Sequence, residues 1–165
     1  MKSTDSLQFN ILFVCLGNIC RSPLAEALLQ KKVQDKGLSN LIFTDSCGTS
    51  DYHIGELPDP RTQKNASSHG LQLTHRGRQL HLSDFDTFHY LLVMDDSNLD
   101  NVEKVKPKDS SANVLKLGHF YLKDPGANVP DPWFGGEEGF EEVYKMLDES
   151  TDELIQFLEN NAKGI

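Results

Sequence analysis

Apolar residues fall along this chain in two kinds of run. Ile11-Leu12-Phe13-Val14, Leu41-Ile42-Phe43-Thr44, His89-Tyr90-Leu91-Leu92-Val93-Met94 and the stretch from Ala112 to Leu117 are short, continuous and rich in β-branched or aromatic residues. That is the form of strands buried on both faces. Between them the spacing turns helical. Pro23 to Lys36 predicts a helix with Leu24, Ala27 and Leu28 on its buried face, flanked by the stems of Lys31 and Lys32 and stopped by Gly37. Arg61 to His69 predicts a short helix ended by Gly70, and Asp96-Ser97 opens another that runs through Lys104. From Glu138 to Asn160, Phe140, Val143, Tyr144, Leu147, Leu154, Phe157 and Leu158 sit near helical spacing. Ser83-Asp84-Phe85 reads as a capped turn. Residues 48–60 are turn-rich, and 118–136 form an irregular segment of a length that often carries function. Strands alternating with helices imply an α/β fold: one domain over 9–165, behind a flexible tail at 1–8, with a four-stranded parallel sheet between two layers of helices.

Charge and cysteine content narrow the function classes. A formal net charge of −9 over 165 residues argues against nucleic acid or an anionic membrane as the main partner. No apolar run approaches a membrane span, and the polar start Met1 to Asn10 has no secretory apolar region. Cys15, Cys20 and Cys47 are odd in number and lack zinc-binding spacing, so a reducing, cytoplasmic setting is the default expectation.

The chemistry concentrates just after the first predicted strand. Cys15-Leu16-Gly17-Asn18-Ile19-Cys20-Arg21-Ser22 links that strand to the helix pattern beginning at Pro23. A strand, a tight loop and a helix start present several backbone N–H groups to a single anion. Gly17 and Asn18 are residue types that tolerate the left-handed backbone such a nest needs. A cysteine at the first loop position lies at the floor of the anion site, where the N–H groups that hold the anion also favour its thiolate. Arg21, six positions on, can return a guanidinium fork to the same anion. Cys and Arg at this spacing are a weak motif by themselves. The strand before them, Gly-Asn between them and Ser22-Pro23 as a cap and first-turn pair after them supply the context. In an open α/β sheet the loop after the first strand is also a natural point for strand order to reverse and a ligand to bind.

The run from Val14 to Leu28 resembles the signature of the low-molecular-weight protein tyrosine phosphatases. Further similarities follow at Asp45-Ser46, Tyr52, Thr74-His75, Met94-Asp95 and Asp131-Pro132-Trp133-Phe134-Gly135. The resemblance covers roughly residues 9 to 160 and implies a flavodoxin-like fold of the phosphotyrosine protein phosphatase I type. It also implies hydrolysis of phosphotyrosine or other aryl phosphate monoesters with no metal and no cofactor, inorganic phosphate being product and inhibitor. The protein would be a cytoplasmic monomer or weak dimer.

Under this resemblance Cys15 is the nucleophile, forming a cysteinyl-phosphate. Arg21 and the N–H groups of Leu16, Gly17, Asn18, Ile19, Cys20 and Arg21 bind the phosphate and take the electrostatic role that magnesium plays in kinases. Ser22 hydrogen-bonds the Cys15 sulfur, or is a plain helix cap, or both. Asp131 is the general acid and base, although Asp-Pro is first of all a turn signal. Tyr52, Trp133 and Phe134 wall the substrate ring, with core packing as the plainer alternative. The family often carries two phosphorylatable tyrosines after its Asp-Pro; Trp and Phe stand here instead. Asn18, Ser46 and His75 brace the loop by hydrogen bonds. Cys20 either traps an oxidised Cys15 as a disulfide or fills space. Cys47 is structural, and Asp95 is a helix cap with no chemistry assigned.

Three rival readings frame this one. Protein-arginine phosphatases share the scaffold but typically have Thr where this chain has Ile19, whose branched apolar side chain favours tyrosine. Arsenate reductases of related fold need a later pair of redox cysteines, and no cysteine follows Cys47. A non-catalytic phosphate-binding module would need neither the thiol at the loop base nor an acid at Asp131, and fold alone does not exclude it.

Overall fold

The computed structural model describes residues 8–163, so the tail expected at 1–8 lies, apart from Gln8, outside the described residues. The elements alternate as expected: β1 (Phe9–Cys15), α1 (Arg21–Asp35), β2 (Ile42–Gly48), α2 (Pro60–Ser68), α3 (Asp84–Thr87), β3 (Tyr90–Val93), α4 (Asp96–Val105), β4 (Asn113–Lys116) and α5 (Gly136–Lys163). The 118–136 segment is irregular apart from two 3₁₀ turns at its ends, Leu117–Phe120 and Pro132–Phe134.

The sheet is wholly parallel, in the order β2-β1-β3-β4. Side chains alternate across it, which explains why the apolar runs are unbroken: each face needs its own set. Ile11, Phe13 and Leu92 point into a core closed by Leu24, Leu28 and Leu29 of α1 and Leu147, Leu154 and Leu158 of α5. Leu12, Val14, Leu91 and Val93 point to the other side, against Phe85 and Phe88 around α3 and Val102 of α4. Strand order reverses between β1 and β3, so the crevice beyond their carboxyl ends receives both the loop after Cys15 and the residues after Val93.

Three boundaries differ from expectation where the site is built. β2 runs on to Gly48 rather than ending at Asp45-Ser46, because Leu12 to Cys15 pair with Asp45 to Gly48 and hold these polar residues in the sheet. α1 begins at Arg21 with Cys20 at its cap position, so Ser22 is a helical residue and not the cap. Pro23 then falls in the first turn, where a missing N–H costs nothing. α2 begins at Pro60, one residue early, with the Asp59 side chain accepting from Arg61 N–H at 2.8 Å.

Candidate active site

The loop 16–20 closes a ring around the end of β1. Its carbonyls face outward: that of Cys15 accepts from Thr49 N–H (2.9 Å), that of Leu16 from Ser50 N–H (3.0 Å) and that of Ile19 from Asp59 N–H (2.8 Å). The N–H groups of Gly17, Ile19, Cys20 and Arg21 make no hydrogen bond to a protein acceptor among the described residues. Asn18 takes the left-handed backbone, with φ 61°, while Gly17 does not. The glycine that sequence reading overlooked is Gly48: a Cβ there would stand 2.7 Å from the Leu16 carbonyl oxygen, so the loop rests directly on the end of β2.

Cys15 is buried at the floor of this ring. Its Sγ lies 3.0 Å from Ser22 Oγ and accepts from Asn18 N–H at 3.3 Å. Asn18 Oδ1 accepts from Arg78 N–H (3.0 Å) and faces His75 Nε2 (2.7 Å), which fixes its Nδ2 as the donor to Ser22 Oγ (2.7 Å) and Ser46 Oγ (3.1 Å). Ser22 thus receives a hydrogen bond from behind and can direct its own proton to the sulfur at 3.0 Å, the Cys47 carbonyl lying farther off at 3.4 Å. The expected bracing set of Asn18, Ser46 and His75 is brought together in this way.

Behind that set lies Glu26, which sequence reading missed. Ser46 Oγ already accepts from Asn18, so it donates to Glu26 Oε1 at 2.6 Å. His75 donates through Nε2 to Asn18, and its Nδ1 is 3.2 Å from the same Glu26 oxygen. One proton must therefore sit between Glu26 and His75 Nδ1. Burial pushes the Glu26 carboxyl up to about 7 and lowers the His75 imidazole, so both groups are driven toward their neutral forms. Asp45, 3.6 Å from His75 Nδ1, is held by Arg78, whose guanidinium also forks onto Asp84. Glu26, Asp45 and His75 bring their ligand atoms within 4.8 Å of one another. The hydrogen-bond network already gives a polar partner to each.

Arg21 is buried, yet its guanidinium reaches the cleft. Nη1 donates to Asp95 Oδ2 (2.7 Å) and to the Val129 carbonyl (3.0 Å). Asp95, expected only as a cap, does both jobs: its Oδ1 accepts from Asn98 N–H at 2.8 Å while Oδ2 holds the arginine. Asp131 approaches from the opposite wall, with Oδ2 3.9 Å from Arg21 Nη2 and Oδ1 accepting from Trp133 N–H at 3.0 Å.

Cys15, Leu16, Gly17, Ile19, Cys20 and Arg21 line the cleft, of about 260 Å³, together with Tyr52, His53, Asp131 and Trp133. Tyr52 and Trp133 are 69% and 41% exposed, so neither is a core residue. His53, in the turn-rich stretch after β2, carried no signal in the sequence. The side chain of Phe134 lies outside the described residues. Cys20 is buried against Ile19 and Phe140, and burial pushes its thiol up to about 12, which weighs toward a space-filling role in this conformation. Cys47 is fully buried, and burial raises its thiol well above the ordinary range, as suits a structural residue.

The family model for low molecular weight phosphotyrosine protein phosphatases matches residues 10–163. A Schizosaccharomyces pombe protein of that name is 42% identical over 94% of this chain and 96% of its own. An Entamoeba histolytica protein tyrosine phosphatase, solved with Hepes in its active site, superposes with a TM-score of 0.89 at 38% identity, covering 93% of this chain and 99% of that one. A Drosophila arginine phosphatase superposes with a TM-score of 0.82 at 32% identity, over 89% and 96% of the two chains. A four-stranded parallel sheet, a loop of N–H groups unpartnered among the described residues over a buried thiol, and these likenesses agree: this chain belongs to the low molecular weight phosphotyrosine protein phosphatase family.

Proposed function

We propose that this chain hydrolyses phosphotyrosine and related aryl phosphate monoesters through a cysteinyl-phosphate, without a metal. The observation that carries the reading is the convergence on one cleft of the Cys15 sulfur, the inward N–H groups of its loop, the Arg21 guanidinium and the Asp131 carboxylate. Cys15 attacks phosphorus along the line of the leaving oxygen, forming the S–P bond as the P–O bond breaks. The loop N–H groups and Arg21 hold the equatorial oxygens, with Arg21 fixed in place by Asp95. Asp131 gives its proton to the departing phenolate. Its Oδ1 is occupied by Trp133 N–H, so Oδ2 is the oxygen free to carry that proton. Water then attacks the cysteinyl-phosphate, Asp131 takes the water's proton, and Ser22 O–H receives the departing sulfur. Phosphate leaves, and as the product it also competes for the ring.

Tyr52 and Trp133 flank the cleft as walls for a flat ring, and Phe134 follows in the same turn. Likeness to the arginine phosphatase supports a phosphoarginine alternative; against it, Ile19 presents an apolar side chain to the cleft, suited to an aryl ester. No helix among the described residues is long and apolar enough to cross a membrane. With three free cysteines, a reducing cytoplasmic setting suits the thiol chemistry, and the protein acts as a monomer or weak dimer. Quenching Asp131→Ala during turnover of an aryl phosphate should trap one phosphoryl group on the peptide containing Cys15, and none in Cys15→Ser. Phosphate on a histidine or serine instead would refute the mechanism.

A further inference from the structure

We infer that Arg61 is the positioning residue that holds the Asp131 turn over the phosphate loop; this rests on the reading of Asp131 as general acid. All three guanidinium nitrogens are committed. Nε and Nη2 form a fork onto the two oxygens of Asp59, at 3.0 and 2.9 Å, and Nη1 donates to the Trp133 carbonyl at 2.8 Å. The guanidinium plane also lies between two rings, 4.8 Å from the centroid of Trp133 and 4.9 Å from that of Phe140 at the start of α5.

Each end of this bridge reaches the chemistry. Asp59 is buried and donates its N–H to the Ile19 carbonyl, inside the phosphate loop. Arg61's hydrogen bonds hold its carboxyl below the usual range, which favours the ion pair. At the other end, Trp133 is held at both of its backbone polar groups: its N–H bonds Asp131 Oδ1 and its carbonyl accepts from Arg61. The N–H bond sets which Asp131 oxygen is free.

Few other hydrogen bonds hold the turn among the described residues. The segment is anchored upstream where Val129 N–H meets the Met94 carbonyl, and downstream where Gly139 N–H meets Gly135. Between them, among the described residues, the bond from Arg61 is the one hydrogen bond reaching 130–135 from another part of the fold; the Arg21–Asp131 contact at 3.9 Å is an ion pair without one. Asp131 and Trp133 are exposed, and Pro132 between them is the buried residue of the turn, so packing holds the turn's middle while the acid itself stands in the open. A general acid displaced by about an ångström loses much of its effect, while the phosphate loop keeps its own backbone anchors at Thr49, Ser50 and Asp59.

The test compares kcat/KM for phenyl phosphate, a poor leaving group, with that for 4-nitrophenyl phosphate, a good one. The ratio is independent of the folded fraction of a preparation. Arg61→Met should lower the phenyl phosphate value about tenfold or more and the 4-nitrophenyl phosphate value less than about threefold. Inhibition by inorganic phosphate should stay within about twofold of wild type. Arg61→Lys, which keeps the charge but not the fork, should fall between. In an Asp131→Ala background Arg61→Met should change the ratio no further. Equal slowing of both substrates by Arg61→Met, or a further change of ratio in the Asp131→Ala background, overturns the inference. If Asp131→Ala itself leaves the ratio at the wild-type value, the acid assignment fails and the inference with it; if Asp131→Ala shifts the ratio and Arg61→Met does not, the inference alone fails.

Discussion

Behind the phosphate loop a single proton has to be shared between Glu26 and His75, and its cost is measurable. Raising the Glu26 carboxyl from its ordinary 4.5 to about 7 means that ionising it in the folded state costs on the order of 3 kcal/mol. The sign is that of a folded state binding the proton more tightly than the unfolded one: stability falls as pH rises from about 4.5 to about 7, and is flat above. The lowered His75 imidazole acts oppositely below its ordinary 6.5, so wild type alone would show a blunted slope. Glu26→Gln, which mimics the protonated acid, should therefore gain about 1–3 kcal/mol relative to wild type between pH 5 and 8, read by denaturant unfolding. A difference that does not vary with pH would contradict the network. Neither Glu26 nor the second role of Asp95 was legible in the sequence. A carboxylate at α1's sixth position reads as surface, and Asp95 reads as a cap; what recruits them is contact across dozens of residues. Cys15 and Arg21 were legible because they bracket one short loop at a recognisable spacing.

At the level of elements, the loop depends on β2 as much as on β1. The apolar runs gave all four strands and the long helices, since burial on both sheet faces leaves a continuous signature. What they missed was the polar end of β2, Asp45 to Gly48, where pairing with β1 overrides composition. They also misplaced the start of α1, because Ser22-Pro23 mimics a cap while the Ser22 hydroxyl is committed to the sulfur. Gly48 is the contact between the two elements. Gly48→Ala must push the Leu16 carbonyl outward and should lower affinity for inorganic phosphate and destabilise the fold by about 1–3 kcal/mol. Unchanged phosphate inhibition with unchanged stability would show that the loop does not rest there.

For the whole molecule, the order β2-β1-β3-β4 is what assembles the site. It sets the ends of β1 and β3 side by side, so that Arg21, on the helix after β1, meets Asp95, at the end of β3; Val129 N–H then bonds the carbonyl of Met94, which precedes Asp95. The alternation of strands and helices made the parallel sheet legible, and the loop after β1 lies at the reversal of strand order. The segment carrying Asp131 had no periodicity to read; its place came only from resemblance, and Arg61, which ties it down, came from the structure alone. The most direct test of the account is hydrolysis of phosphotyrosine and phosphoarginine peptides side by side, in EDTA, by wild type and Cys15→Ser. The account predicts turnover of phosphotyrosine that survives EDTA, exceeds that of phosphoarginine and vanishes in Cys15→Ser. Loss of turnover in EDTA, a preference for phosphoarginine or substantial activity in Cys15→Ser would contradict it.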